Sequence, residues 1–240
     1  MPEISPWLIG GGVLFVVVIL ATMFLAVMVK SFYRKVEQGK ALIINQTRDQ
    51  MVVTFNGGLV LPIIHKWEEM DISLKTIEID RRGTDGLICM DNIRADIKVA
   101  FFVRVNQTEE DVLKVAQAIG CERASHQETM ENLFVPKFSE ALKTVGKAFE
   151  FEHLYTERER FRTEMIRVIG EDLNGYKLED AAIDFLEQTP LDAHDPNNVL
   201  DASGIEKIRR LTKVQHILTN EHEAEEAEKT VTPTKKTVES

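Results

Sequence analysis

An α+β body behind a single transmembrane helix is the fold class this sequence predicts, and three patterns predict it. An uncharged apolar run opens the chain, a block of short β-rich runs follows, and a series of helical periodicities closes it. Runs of strands followed by runs of helices point to α+β packing rather than to a doubly wound parallel sheet. The 240 residues suffice for one large or two small domains with a real core.

The opening run spans residues 7–29. It holds 23 residues without a charge, 14 of them Leu, Ile, Val or Phe. As a helix it extends ~35 Å, enough to cross a hydrocarbon core of ~30 Å. Each Leu, Ile, Phe or Val near mid-membrane favours insertion by roughly 0.3–0.6 kcal/mol, so the run favours it by several. A cleaved signal peptide fits poorly: residues 1–6 carry no Lys or Arg, the run is too long, and no A-x-A site follows. Lys30, Arg34, Lys35 and Lys40 crowd the C-terminal flank, whereas Glu3 stands on the other. The positive-inside bias therefore places residues 1–6 outside and the body in the cytoplasm. Trp7, Lys30, Tyr33, Arg34 and Lys35 stand where membrane-interface anchors are expected.

Short β-rich runs follow at Ala41–Ile44 and Met51–Phe55, separated by a polar turn over 45–49. Asn56-Gly57-Gly58 reads as a turn in which positive φ costs little. Leu59, Val60, Leu61, Ile63 and Ile64 are apolar on both faces, and Pro62 confines them to an edge or extended segment. This segment is either a buried core strand or one that dips into the membrane interface. Another strand is expected over 72–79. Asp91-Asn92 reads as a turn, after which Ile97, Val99, Phe101, Val103 and Val105 alternate with Lys98, Ala100, Phe102 and Arg104. That period of two marks a strand with one buried face.

Thr108, followed by Glu109-Glu110-Asp111, opens a helix with an N-cap and an acidic first turn. A second helix is expected over 122–145, kinked or split near Val135 by Pro136. A third is expected over 151–173, with Leu154, Phe161, Met165, Val168 and Ile169 on its apolar face. Residues 177–186 read as a returning strand. Residues 30–190 thus form one domain, 191–203 a polar linker, 204–229 a helix and 230–240 a disordered tail. Ile205, Ile208, Leu211, Val214 and Leu218 form an apolar stripe on that helix, suited to self-association or to packing back on its own domain. Two heptads are too few for an independent coiled coil.

The residues exclude much chemistry. There is no phosphate loop, H-E-x-x-H, C-x-x-C or G-x-S-x-G, and the six histidines are scattered. Cys89 and Cys121 give neither a disulfide framework nor metal spacing, and read as small semi-buried residues. A net charge of −10 speaks against nucleic acid. No enzyme, cofactor or metal is expected.

Three stretches carry a resemblance: "EQGKALIINQTRDQMVVTFNGGLVLPIIHKWEEMDISLKTIEI", "DGLICMDNIRADIKVAFFVRV" and "AAIDFLEQTPLDAHDPNNVLDASGIEKI". With the preceding apolar segment, they make residues 5–220 resemble the flotillin-like proteins of the SPFH/band 7 superfamily, chiefly the bacterial inner-membrane group of the YqiK type. The resemblance implies an SPFH domain, a curved and mostly antiparallel sheet with packed helices. It also implies the bacterial inner membrane as location, and a non-catalytic scaffold that self-associates and organises membrane microdomains. Its partners would be the lipid bilayer, other copies of the chain and other membrane proteins. A regulatory partner of a membrane protease or channel is the alternative within the superfamily. The group's long coiled coil continues well past residue 220, so the helix over 204–229 reads as its truncated start.

Overall fold

The computed structural model describes residues 6–45, 51–61, 65–170 and 173–236, with side chains described for those between 15 and 226. In chain order, helix α1 (Pro6–Phe32) is followed by strands β1 (Tyr33–Lys35), β2 (Lys40–Asn45), β3 (Met51–Thr54), β4 (Gly57–Leu59) and β5 (Lys66–Asp71). Next come β6 (Lys75–Arg81), β7 (Leu87–Ile88) and β8 (Arg94–Val105), then helices α2 (Glu109–Ala118), α3 (Cys121–Ser125) and α4 (Gln127–Gly146). Helices α5 (Phe151–Thr156) and α6 (Arg158–Ile169), strand β9 (Tyr176–Gln188) and helix α7 (Val199–Lys236) complete the chain. The α+β class and the antiparallel pairing match the expectation. The chain divides into two compact units.

The first unit comprises Met1–Lys75, Val103–Asn132 and Asp172–Leu178. Its main sheet has the order β3-β2-β5, antiparallel throughout, with Ile43 opposite both Val53 and Glu68. Ala41, Leu42, Ile43 and Ile44 are all buried, so the central strand has two covered faces and reads as a continuous apolar run. Helix α2 lies on β3 and α3 on β5. Thr108 caps α2 as expected: its hydroxyl oxygen accepts the Asp111 N–H at 3.2 Å. Its own O–H and the Asn106 amide donate to the Asp111 carboxylate at 2.7 Å each, and these bonds hold that carboxyl below its ordinary range.

Several strand boundaries differ from the expectation. Strand β5 was missed, because among its residues only Met70 is buried and no alternation shows. The strand expected over 72–79 begins only at Lys75, because the Asp71 carboxylate accepts the Ser73 N–H at 2.9 Å and turns the chain before β6. Gly57 and Gly58 lie in β4 rather than in a turn. The expected turn over 45–49 falls largely outside the described residues.

The second unit comprises Thr76–Phe102, Leu133–Glu171 and Glu179–Ser240. Strand β8 pairs with β6, β7 and β9. Its alternation holds from Ala95 onward, with Ile97, Val99 and Phe101 buried here and with Val103 and Val105, which belong to the first unit, buried as well. On the opposite face Lys98 sits between Glu78 of β6 at 3.0 Å and Asp184 of β9 at 3.7 Å. Phe101 packs on Phe138 with ring centroids 4.7 Å apart, and Phe138 stacks on Phe134 at 5.4 Å.

That aromatic face explains why Pro136 does not split its helix. A mid-helix proline costs roughly 3 kcal/mol. Burying Phe134, Phe138 and Leu142 on one face returns roughly 1.5–3 kcal/mol each, so α4 runs unbroken through Pro136. The break falls instead at His126, whose backbone is extended. The third expected helix is likewise two, broken at Glu157 (φ −112°, ψ 42°). Leu154, Phe161, Met165 and Ile169 are buried as expected, whereas Val168 is exposed.

Helix α7 begins at Val199, inside the stretch read as linker, and continues to Lys236 through residues read as tail. The Asn198 side chain explains the early start. It accepts the N–H groups of Leu200 at 3.0 Å and Asp201 at 3.5 Å, a helix N-cap within the polar stretch.

Candidate functional site

In the first unit the feature with functional meaning is α1 and the strand that leaves it. The described side chains of α1 from Phe15 to Lys30 are all exposed, with Phe15 at 67% and Phe24 at 69%. A helix that is apolar on every side, with no protein covering it, is suited to lipid. It runs without a linker into β1, which pairs antiparallel with β4, Tyr33 opposite Leu59 and Lys35 opposite Gly57. The Val60 N–H donates to the Phe32 carbonyl at 2.9 Å, so the helix end itself is tied to the hairpin. Gly57 permits this approach. Its φ is +130°, and a Cβ there would lie 2.5 Å from the Arg34 carbonyl oxygen.

The expected interface anchors meet at this end. Lys30, Tyr33, Arg34 and Lys35 occupy consecutive turns of helix and strand, Lys30, Arg34 and Lys35 together with Tyr33 being exposed. The Arg34 guanidinium lies 5.1 Å from the centre of the Trp67 ring. Trp7 lies within α1, but its side chain is outside the described residues. The apolar segment after the hairpin divides. Leu59 is exposed, Leu61 half-buried, and Val60 is buried against Leu42, Ile44 and Val36, which makes it core rather than a membrane-dipping residue. Ile63 and Ile64 lie outside the described residues.

In the second unit the feature is the base of α7, which grips the turn before β8. Asn92 adopts φ +62°, and the turn closes through the Asn92 N–H on the Cys89 carbonyl at 3.1 Å. Gly204 lies against it: a Cβ at that position would sit 2.2 Å from the Asn92 carbonyl oxygen. On either side of this close approach polar pairs form. The Asn92 amide donates to the Ser203 hydroxyl at 3.3 Å, and Lys207 donates to Asp91 at 3.0 Å. Arg94, the first residue of β8, donates to the Asp201 carboxylate at 2.7 Å. The same guanidinium donates to the Thr84 and Gly86 carbonyls, and the second Asp201 oxygen accepts the Asp195 N–H at 3.0 Å. Burial raises the Asp201 pKa, but the Arg94 bond, the Asp195 N–H and the charges of Arg94 and His194 outweigh it, so the carboxyl is held below its ordinary range.

This grip ends abruptly along the helix. Of the expected self-association residues, Ile208 is 6% exposed and belongs to the unit's own core, and Ile205 is half-buried. Leu211, Val214 and Leu218 are 47%, 48% and 44% exposed, as is Ile217 beside them. The stripe therefore splits between Ile208 and Leu211 into a docked base and an uncovered apolar face. Sequence reasoning named "LDASGIEKI" and the Asp91-Asn92 turn separately and missed that they are one contact. The available signal was an arginine opening a buried strand, a charge unusual in such a place unless paired.

Among the described residues no three His, Cys, Asp or Glu side chains are grouped to hold a metal. Burial pushes the Cys89 thiol up to about 12, and burial with the neighbouring Glu68 does the same for Cys121. Both are free and buried.

An apolar helix leading into antiparallel sheets with packed helices, followed by a long C-terminal helix, is the architecture of a band 7-type protein. Residues 34–230 match the family model described as "SPFH domain / Band 7 family", and the chain belongs to that family. It is flotillin-like. It is 32% identical over 193 residues to the "Flotillin family inner membrane protein YqiK" of Escherichia coli (strain K12), a match covering 80% of this chain and 35% of that protein. It is 24% identical over 200 residues to the "Flotillin family inner membrane protein sll1021" of Synechocystis sp. (strain ATCC 27184 / PCC 6803 / Kazusa), with coverage of 80% and 29%. The chain thus spans about a third of the length of these curated relatives.

Proposed function

We propose that this chain is a non-catalytic scaffold, anchored in a bacterial inner membrane by α1, that self-associates and organises membrane microdomains. The split stripe of α7 is the observation that carries the reading. The helix base is locked to its unit by Gly204 and the Arg94–Asp201 pair, which fixes where the next turns point, while Leu211, Val214, Ile217 and Leu218 stay uncovered. An apolar seam on a rigidly aimed helix is suited to a matching helix from another copy. Anchoring reinforces such a contact: copies confined to one surface meet at high effective concentration, so weak lateral contacts accumulate. The cluster of Lys30 in the last turn of α1 with Arg34, Lys35 and Lys40 beyond it favours an N-terminus outside and a body in the cytoplasm. The names of the relatives, inner membrane proteins of the flotillin family, support the location.

The test is the native mass of the full chain, gently extracted and measured by mass photometry, for the wild type and for Leu211→Asp with Val214→Asp. Particles of many subunits that collapse in the double variant support the seam. Assemblies of unchanged size in that variant remove it. A wild type that is monomeric or dimeric favours instead a regulatory partner of a membrane protease or channel.

A further inference from the structure

Beside the exit of α1 lies a groove of about 870 Å³, lined in part by the interface anchors already described. One wall is apolar and belongs to the helix: Leu25, Ala26 and Val29. The rim is cationic: Lys30 from the last helical turns, and Arg34 and Lys35 from β1. From Leu25 to Lys30 the helix rises ~7.5 Å, so the apolar wall and the cationic rim stand at successive depths of one bilayer leaflet.

We infer that this groove binds a single anionic phospholipid, its phosphate held by Lys30, Arg34 and Lys35 and one acyl chain lying against Leu25, Ala26 and Val29. The chemistry is complementary at both ends. Three cations line it although the chain as a whole carries −10, and among the described residues nothing anionic lines the groove. Arginine offers a planar fork to phosphate oxygens, whereas the two lysines act as point charges. Ala26 supplies the indentation, because the small side chain leaves room between Leu25 and Val29 for a chain to lie. The groove is also preorganised. Arg34 is fixed by the β1–β4 pairing opposite Gly58, and its guanidinium is held over the Trp67 ring at 5.1 Å. A cation already positioned loses less freedom on binding than one on a mobile tether. A polybasic flank without a groove would attract any anionic surface. A groove with one preset arginine and an apolar wall selects a lipid molecule.

This inference rests on α1 crossing the bilayer, so the experiment measures integration separately. The full chain is reconstituted in vesicles and washed with alkaline carbonate. Retained lipid is then counted by native mass spectrometry from nanodiscs containing equal parts of phosphatidylglycerol and phosphatidylcholine with identical acyl chains. The expected result is a carbonate-resistant protein that retains about one phosphatidylglycerol, preferred over phosphatidylcholine by on the order of a hundredfold, since each surface cation contributes roughly a factor of five. Lys30→Gln with Arg34→Gln and Lys35→Gln is expected to bring the two lipids to parity. Ala26→Phe, which fills the apolar wall and keeps every charge, is expected to lose the retained lipid while remaining carbonate-resistant. Parity in the wild type, or undiminished retention in Ala26→Phe, overturns the groove and leaves the anchor standing. Extraction of the wild type by carbonate overturns the anchor and the groove with it.

Discussion

Replacing Asp201 with alanine tests whether the base of α7 is held by the contact described. The pair it breaks is well buried, with side-chain exposures of 10% for Arg94 and 5% for Asp201. Removing the carboxylate leaves the guanidinium with the Thr84 and Gly86 carbonyls, and it leaves the Asp195 N–H without the Asp201 oxygen that accepts it. Breaking a buried ion pair from one side costs about 3–5 kcal/mol, most of it from the stranded charge. Because α7 is anchored at its base, the loss concentrates on undocking of that helix rather than on unfolding of the whole chain. A tenfold change corresponds to ~1.4 kcal/mol, so amides of residues 202–208 are expected to exchange with deuterium about a hundredfold faster or more. Replacing both partners with apolar residues, Arg94→Met with Asp201→Leu, removes the stranded charge and is expected to restore most of the protection. The assay is hydrogen–deuterium exchange on the full chain in detergent, read by mass spectrometry. Exchange in Asp201→Ala within threefold of the wild type would refute the claim that this pair holds the helix.

Four further outcomes are expected. The Asp201 contribution is complete above the ordinary aspartate pKa of about 3.9, because the folded value is depressed, and it is lost as pH falls through that lower folded value; protection at 202–208, taken relative to the intrinsic exchange rate at each pH, should therefore fall only below that ordinary value. Gly204→Ala places a Cβ 2.2 Å from the Asn92 carbonyl, an overlap with backbone that cannot turn aside, and should cost ~1–3 kcal/mol or more, seen as faster exchange over the same amides. Thr108→Ala removes the α2 cap and one bond to Asp111, so exchange in the first turn of α2 should rise by roughly fivefold, the equivalent of ~1 kcal/mol. Finally, with both thiols buried and raised to about 12, neither Cys89 nor Cys121 should react with an alkylating reagent at pH 8 until the chain is unfolded, when both should.

The physical picture of function follows from where rigidity stops. The first unit ties the end of α1 to a hairpin, and the second ties the base of α7 to the turn before β8. In each unit the ordered contact leads directly to an apolar surface the protein itself does not cover. Such surfaces are costly in water, and lipid at one and a partner helix at the other would remove that cost.

What the sequence by itself determined was whatever depends on near neighbours. The uncharged run marked α1, the strict alternation from Ile97 to Val105 marked β8 and its buried face, and Thr108 with Asp111 marked the start of α2. Each is a local regularity, set by the period of a strand or helix or by a side chain capping its own backbone. What only the tertiary structure decided was where partners distant in sequence meet. Pro136 stands inside an unbroken helix because Phe101, on another element, packs against Phe138. Gly57 and Gly58 became strand because β1 approaches them, and β5 paired without any apolar alternation of its own. The apolar stripe of α7 read as uniform, yet Ile208 is core and Leu211 is not, because Arg94 and Asp201, 107 residues apart, fix how far the helix is docked. Periodicity tells which face of an element is apolar. Only long-range pairing determines which part of that face is already taken.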